Sequence, residues 1–271
     1  MQEYRYLRIQ SRIILPILTN CGLSNFPSVS SQLGVVNAIT TRTNATAVHT
    51  TAALPVLVFP ITRERHSNVY VTKDGEKGSI NSSCSSYILV FHLERTIWYE
   101  PTDVKTAAKI FQVGPQWKNV LHFVSPNQNE LKVIGEHFNI PVSESMDLVT
   151  TKSVAEQLIE HVPVVVTTLG AQGVLVTRKA LQNEPFYDER GELIADSSVA
   201  SRLYPAVDGA EKASEILSVS GCGDCLTAGI IYGIHKNLDE IGCISVALKA
   251  ASLSLRSFDA VPRTLRDVFQ R

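Results

Sequence analysis

Residues 218–235 read SVSGCGDCLTAGIIYGIH and join a turn of small residues to an apolar helix. The turn, Gly221-Cys222-Gly223, brings an acidic residue, Asp224, into the first turn of that helix. Glycine permits tight turns and a close approach of the backbone to a ligand. The free N–H groups and the positive dipole at the start of a helix favour an anion such as phosphate. This stretch therefore predicts an anion site.

Asp224 needs its own explanation at such a site, because a carboxylate would repel a bound phosphate. It fits if it is a base that removes a proton from a hydroxyl group while the amides hold a transferring phosphoryl group. That interpretation predicts phosphoryl transfer to an alcohol. The alternative is structural, since an aspartate in the first helical turn also interacts favourably with the helix dipole. The stretch alone leaves both interpretations open.

The composition is that of an ordinary globular protein. The chain has 271 residues and a formal net charge of −1. Its length suits one domain, or one domain with a small appendage. The balanced charge gives no indication of nucleic acid as a partner. No apolar run reaches the roughly 18–20 residues that a membrane helix needs, so we expect no membrane association.

The five cysteines are scattered and odd in number. We therefore expect reduced thiols and a cytoplasmic location rather than a disulfide framework. Cys222 and Cys225 match C-x-x-C, a pattern of metal sites and redox pairs. A metal site would need a second ligand pair, and the sequence has no other C-x-x-C. Small side chains on a tight turn explain these two cysteines adequately.

Residues 1–66 differ from the rest of the chain. Short apolar runs are broken by Pro, Asn, Ser and Thr, with strands predicted at 44–51 and 54–59. No Asp or Glu occurs between Tyr4 and Arg63. Such an acid-poor, Arg- and Ser-rich composition is typical of organelle transit peptides, which makes targeting an alternative to the cytoplasm. A second alternative is a segment that arose outside selection for the fold, such as an alternative exon.

Strands alternate with helices over residues 96–260, a pattern that predicts an α/β fold with a mostly parallel sheet. Residues 162–167 are rich in β-branched side chains, as in a strand covered on both faces. Ligands of such sheets bind at the carboxyl ends of the strands. Four polar clusters fall at predicted strand ends: 100–103, 125–130, 168–173 and 221–224. We therefore predict a functional site at that edge.

Together these segments resemble the ribokinase-like (PfkB) family of carbohydrate and nucleoside kinases. Ser-Gly-Cys-Gly-Asp at 220–224 is similar to the family's Gly-Ala-Gly-Asp signature, with Cys222 in place of alanine. Thr168-Leu-Gly-Ala-Gln-Gly173 is similar to Thr-x-Gly-x-x-Gly, and Asn127-Gln-Asn-Glu130 to Asn-x-x-Glu. Residues 98–103 and 125–131 most resemble the pseudouridine kinase branch. The resemblance covers residues 85–265.

The resemblance implies a three-layer sandwich and transfer of a phosphoryl group from ATP to the 5′-hydroxyl of a nucleoside or sugar, above all pseudouridine. Asp224 would be the base, and Gly221, Cys222 and Gly223 would donate N–H groups to the developing charge. Because amides do this work, cysteine in place of alanine should be tolerated. Residues 67–271 would form this ATP-binding catalytic domain.

The resemblance also implies the residues that bind ATP, namely Thr168, Gly170 and Gly173. Residues 252–262 would lie near the adenine. Asn127 and Glu130 would act through Mg²⁺ and its waters, as suits a cation that keeps part of its hydration shell. Glu100 and Asp103 would face the substrate or the metal, although a capping role is equally open for Asp103. A monovalent cation and a homodimer are left open.

The amino-terminal half departs from the family pattern. Residues 1–66 contain no Gly-Gly signature and no substrate-gripping aspartate, and the chain is shorter at its front than a complete member. Gly34-Val-Val-Asn37-Ala38 is only faintly similar to the missing signature, and residues 44–48 resemble one strand of an incomplete β-lid. Two alternatives follow: a truncated, catalytically weak relative that binds nucleotide or a partner, or a kinase for another sugar.

Overall fold

The computed structural model describes residues 56–60, 95–101, 103–112, 114–207 and 215–269. Within these residues, six strands form one sheet, with the strands arranged in the order of the chain. They are β1 Val56–Pro60, β2 Arg95–Tyr99, β3 Phe123–Val124, β4 Val164–Thr168, β5 Val174–Lys179 and β6 Val199–Tyr204. The helices are α1 Lys109–Gln112, α2 Gln128–His137, α3 Leu148–Leu158, α4 Cys222–His235, α5 Glu240–Leu255 and α6 Leu265–Phe269.

The sheet is mixed. β2, β3 and β4 run parallel to one another, whereas β1 pairs antiparallel with β2, β5 with β4 and β6 with β5. The α/β class is confirmed, but the prediction of a mostly parallel sheet is corrected for the described strands. The reason is a short connection: a 3₁₀ turn at Gly170–Gln172 joins β4 to β5, and a parallel pairing would need a long crossover.

Helices cover both faces of the sheet, which gives the three predicted layers. Successive strand residues point to opposite faces, so Tyr99 packs in the cluster formed by α1, α2 and α3. Its neighbour Trp98 packs in the cluster formed by α4 and α5. Val165 and Val166 of β4 divide between the two clusters in the same way. The three-layer sandwich is thereby confirmed.

The helix that follows the Gly221 turn, α4, is held by close packing on α5. A Cβ atom on Gly229 would lie 2.4 Å from Ala247 Cα, and one on Gly233 would lie 2.7 Å from Cys243 Cα. Glycine is therefore required where the two helices approach, because any side chain would meet backbone. This contact fixes α4 along its length and so fixes the turn that precedes it.

Only one of the predictions for the amino-terminal strands and motifs falls on residues that the structure describes. The strand predicted at 54–59 is confirmed as β1, Val56–Pro60. The strand predicted at 44–51, the Gly34–Ala38 similarity and the lid remnant lie outside the described residues, and the division of the chain at residue 66 stays a prediction. In the part of the chain that is described, no helix combines the length and apolarity needed to cross a membrane.

Candidate active site

The predicted site residues lie along the carboxyl ends of the central strands. Glu100 directly follows β2, and Asn127 follows β3 at the start of α2. Asn127 forms a parallel β-bridge with Thr168, the last residue of β4. A Cβ atom placed on Gly223 would lie 3.4 Å from Glu100 Oε1. The structure therefore brings the four polar clusters together as two contacting pairs on one edge of the sheet.

The turn before α4 has a strained backbone that only glycine adopts readily. Gly221 has φ +80° and caps the helix. A Cβ atom there would lie 2.3 Å from Ala260 O, so the turn packs directly on the segment after α5. Gly221 is thus explained by the fold itself, independently of any ligand.

Main-chain donors are available at this turn. The Cys222 N–H donates to Val219 O over 3.4 Å, a long and weak bond. The amides of Gly221, Gly223 and Asp224 have no acceptor among the described residues. Three donors at a helix start form a site suited to an anion. The set differs slightly from the predicted one, because Cys222 is partly used and Asp224 contributes its own amide.

Asp224 is half-buried at this helix start. Its Oδ1 atom is enclosed and has no hydrogen-bond partner in the described part of the chain. Burial raises the pKa of Asp224 to about 6, because an enclosed carboxylate loses its hydration. Such a group is deprotonated at neutral pH and still basic enough to accept a proton, which suits a general base.

Glu100 is the more deeply buried carboxyl, with 9% of its surface exposed. Burial raises its pKa well above the ordinary value, and the negative charges of Asp224 and Glu130 raise it further. The hydroxyl of Thr227 opposes that rise in pKa, although it is not in hydrogen-bonding geometry with Glu100. Glu100 and Asp224 therefore act on each other across the contact between β2 and α4.

Asn127 and Glu130 form a capping box at the start of α2. Glu130 is 4% exposed, and burial raises its pKa to about 7, with the Asn127 hydrogen bonds opposing and Asp103 adding to the rise. The cap occupies Glu130 Oε2. The two residues predicted to act on magnesium thus also have a structural role, which the sequence did not predict.

The oxygen atoms gathered here are of the type that Mg²⁺ prefers, since carboxylate and amide oxygens are hard ligands. Glu100 Oε2 and Asp224 Oδ1 lack hydrogen-bond partners within the described residues. No group of three or more His, Cys, Asp or Glu side chains among those residues could hold a metal ion. A magnesium ion would therefore need water and phosphate oxygens to complete its ligands.

The three residues predicted to bind ATP have different surroundings. Gly173 has φ +97° and is required by the fold, because a Cβ atom there would lie 2.1 Å from Tyr204 O of β6. Gly170 has φ +58° and is exposed, and a Cβ atom on it would meet nothing within 4 Å. The Thr168 N–H donates to Pro126 O over 3.0 Å. Of the two glycines, only Gly170 leaves room beside it for a ligand.

Asp103 and the cysteines have structural explanations. Asp103 is exposed, and its Oδ1 accepts a hydrogen bond from Thr106 N over 3.0 Å, which is the capping alternative. Its substrate role stays a prediction. Cys222 and Cys225 are free thiols. Burial raises the pKa of Cys222 to about 11 and that of Cys225 to about 12. Thiols of this kind stay neutral, which disfavours a redox or metal-binding role.

One site residue was missed from the sequence. Thr227 lies on α4 one turn after Asp224, and its buried hydroxyl has no hydrogen-bond partner in the described residues. Residues three apart on a helix share a face, so its spacing from Asp224 was the signal that could have identified it.

No protein-family model matches the chain. Among curated proteins it is similar to a pseudouridine kinase of Arabidopsis thaliana, with 24% identity over 197 residues, which is 61% of this chain and 51% of that protein. The chain therefore spans about half the length of the curated relative that it matches. This similarity confirms the resemblance drawn from the motifs.

Several solved kinase structures match part of the chain. A ribokinase from Thermotoga maritima has a TM-score of 0.43 at 14% identity, covering 64% of this chain and 47% of that one. An adenosine kinase from Sinorhizobium meliloti has a TM-score of 0.44 at 13% identity, covering 64% and 43%. A nucleoside kinase from Burkholderia thailandensis, in complex with inosine, has a TM-score of 0.40 at 16% identity, covering 64% and 45%.

Proposed function

We propose that this chain carries the nucleotide-binding and catalytic part of a kinase that transfers the γ-phosphoryl group of ATP to the 5′-hydroxyl of a nucleoside or sugar. The observation that carries the proposal is the surroundings of Asp224. An enclosed carboxylate oxygen without a partner among the described residues stands beside unpaired amides at a helix start. A base and an anion site in one place are what phosphoryl transfer to an alcohol requires.

In the proposed reaction, Asp224 takes the proton of the substrate hydroxyl as its oxygen attacks the γ-phosphorus. The bond from that phosphorus to the bridging oxygen breaks, and ADP leaves. The amides of Gly221 and Gly223 stabilise the negative charge that develops on the phosphoryl oxygens. Little covalent chemistry is demanded of the protein, so alignment and electrostatics supply most of the rate.

Glu130 and Asn127 would hold Mg²⁺ through water. That ion, when bound, neutralises charge on the triphosphate. The capping box keeps Glu130 Oε2 on the Asn127 N–H, so Oε1 is the oxygen that the cap does not use. Thr168 and Gly170 border the same edge of the sheet and would lie beside the nucleotide. The open space at Gly170 supports that position.

Pseudouridine is the proposed substrate because the curated relative is a pseudouridine kinase and residues 98–103 most resemble that branch. Glu100 and Asp103 would contact it. One alternative is a related kinase for another sugar. Another is a catalytically weak relative, favoured by the absence of a Gly-Gly signature from residues 1–66. Binding energy from the non-reacting part of a substrate positions the reacting hydroxyl, so missing sugar contacts would lower turnover.

The test measures ATP-dependent product formation with pseudouridine, adenosine, ribose and fructose, for the wild type and Asp224→Asn. We expect turnover with pseudouridine and a loss of about 10²–10⁴-fold in kcat for Asp224→Asn, the usual contribution of a general base. Asp147→Asn is the matched control, since Asp147 is an exposed N-cap of α3 and asparagine caps equally well.

The outcomes separate the alternatives. Turnover of another acceptor but not of pseudouridine would identify the protein as a kinase for that other substrate. Saturable ATP binding without turnover of any acceptor favours the catalytically weak relative. Turnover that Asp224→Asn leaves intact contradicts the role of the base.

A further inference from the structure

We propose that strand β6 is an interface at which two copies of this chain pair edge to edge, with their β6 strands antiparallel about a two-fold axis at Ser201. The inference goes beyond the proposed function and does not depend on it. It rests on three features of β6, Val199–Tyr204: its open edge, its exposed apolar side chains and the position of its one charged residue.

The first feature is the position of β6 in the sheet. It is the last strand of the described sheet and pairs with β5 on one side. On its other side, its backbone has no main-chain hydrogen-bond partner within the described ranges. The outward N–H and C=O groups along such an edge can pair with an additional strand. The edge of β6 is therefore able to accept one.

The second feature is a pair of exposed apolar side chains. Successive residues of a strand point to opposite faces of the sheet. Ser201 points to the face that α3 covers, because its hydroxyl donates to Glu156 Oε1 over 2.9 Å. Val199 and Leu203 lie on the same face, with 41% and 44% of their surfaces exposed. They stand two positions before and two positions after Ser201, so the strand is complementary to an antiparallel copy of itself.

The third feature is the position of charge on β6. Natural edge strands commonly carry an outward lysine, a proline or a bulge that prevents pairing with another chain. The one charged residue of β6 is Arg202, and its guanidinium turns inward. Its Nη1 donates to Glu240 Oε2 over 3.2 Å, and its Nη2 donates to Ala180 O over 2.7 Å. No charged side chain of β6 itself therefore opposes a second strand.

These features favour one register. With the axis at Ser201, Val199 of each copy lies opposite Leu203 of the other, so each exposed side chain gains an apolar neighbour across the strands. Arg202 of each copy lies opposite Ala200 of the other. Moving the axis by one residue, to Arg202, would set the two Arg202 residues directly opposite each other, and like charges in that arrangement are destabilising. The charge pattern therefore selects the register centred on Ser201.

The pairing would also continue the layers of the fold. A two-fold axis perpendicular to the sheet makes the same surface of each copy meet its counterpart. The helix α3 of both copies would then cover one face of the joined sheet, and α5 of both copies would cover the opposite face. Contact along residues 199–203 is small, so we expect the two copies to associate with micromolar affinity.

The experiment is sedimentation velocity of the full chain over a concentration series from about 1 μM to about 100 μM, without nucleotide or metal. We expect the wild type to shift from monomer to dimer within this series. The double variant Val199→Lys/Leu203→Lys should raise the dissociation constant by about tenfold or more, because it sets like charges opposite each other twice. The matched double variant Val199→Glu/Leu203→Lys should dimerise more tightly than the first, because it sets opposite charges there.

Phe258→Lys is the control for an added surface charge. Phe258 is 81% exposed and lies beyond the end of α5. The start of α5, at Glu240, is the end of that helix which contacts β6. Phe258→Lys should therefore leave the dissociation constant of the dimer unchanged.

A wild type that stays monomeric throughout the series overturns the proposal, as it would if another segment of this chain covered the edge of β6. A dimer that Val199→Lys/Leu203→Lys leaves intact, or that Phe258→Lys weakens equally, also overturns it. Equal dissociation constants for the two double variants refute the register at Ser201. If the first double variant does not fold, Leu203→Lys alone replaces it and should weaken the dimer in the same direction. No measurement here involves turnover, so failure of the proposed function leaves this test intact.

Discussion

Asn127 and Glu130 cap the same helix end reciprocally: the Asn127 N–H donates to Glu130 Oε2 over 2.8 Å, and the Glu130 N–H donates to Asn127 Oδ1 over 3.0 Å. Capping boxes satisfy two otherwise unpaired N–H groups at a helix start. The same carboxylate stands in the electrostatic surroundings of Glu100. Glu130 therefore both caps α2 and contributes negative charge to the candidate site. Different substitutions of Glu130 can remove one of these effects without the other.

Glu130→Gln should keep the cap and remove the charge, because glutamine occupies this position of a capping box equally well. Burial raises the pKa of Glu130 to about 7, so its negative charge opposes folding at neutral pH, and we expect no loss in the free energy of unfolding. We also expect lower turnover and a higher Mg²⁺ requirement. Glu130→Ala should lose the cap as well and cost about 1 kcal/mol or more. Urea unfolding and a magnesium titration of activity measure the two effects. Unchanged magnesium dependence in Glu130→Gln would contradict the proposed role.

Asp224→Asn should stabilise the protein at pH 7. Burial raises the pKa of Asp224 to about 6, above the value near 4 of an unfolded chain. The folded protein then binds more protons than the unfolded one between these values, so Asp224 lowers stability as pH rises through that window. We expect Tm at pH 7 to increase by about 2–5 °C, with the difference from wild type vanishing near pH 4.

Asp147 is the matched control for this prediction, because its pKa is shifted in the opposite direction. Hydrogen bonds from the Thr150 amide lower the pKa of Asp147, so its charged form favours the folded state. Asp147→Asn should therefore gain nothing at pH 7. Thermal unfolding of both variants at pH 4 and pH 7 makes the comparison, and equal Tm changes in the two would refute it.

Glu240→Ala should be among the most destabilising substitutions. Glu240 is fully buried, accepts from Arg178 Nε over 2.6 Å, and also binds Arg202 and Tyr204. Removing one partner leaves a buried charge uncompensated, which costs about 3–5 kcal/mol. Glu160→Ala is the control, because its bond to Lys179 is largely exposed and such pairs contribute about 0–1 kcal/mol. Urea unfolding should separate the two variants clearly, and similar losses would argue against the buried network.

Gly173→Ala and Gly170→Ala should differ although both glycines belong to one motif. Both have positive φ, which costs alanine about 1–2 kcal/mol. At Gly173 the new methyl group would also overlap the backbone at Tyr204, so we expect a loss of about 2–5 kcal/mol in total. At Gly170 only the strain remains. Equal losses in urea unfolding would mean that β6 moves away at little cost.

Several features were predictable from local sequence. The α4 motif, the β4 strand and the turn at 170–173 follow from residue spacing and from glycine, which act over a few neighbours. The antiparallel pairing of β4 and β5 was within reach too, because a turn of that length cannot join parallel strands. The prediction of a mostly parallel sheet overlooked this signal. No local sequence pattern predicts the ion pairs of Glu240 with Arg178 and Arg202, since these contacts join distant parts of the chain.

The sequence by itself determined where the turn of small residues before α4 lies, which strands end in polar residues and which kinase family the motifs resemble. Only the tertiary structure decided that Glu100 lies under Gly223 beside Asp224, and that Asn127 pairs with Thr168. The physical reason is that helix and strand preferences arise between near neighbours, whereas these contacts depend on how two helical layers pack on opposite faces of one sheet. Burial and charge at the site, and hence the pKa values of its carboxyl groups, are consequences of that packing.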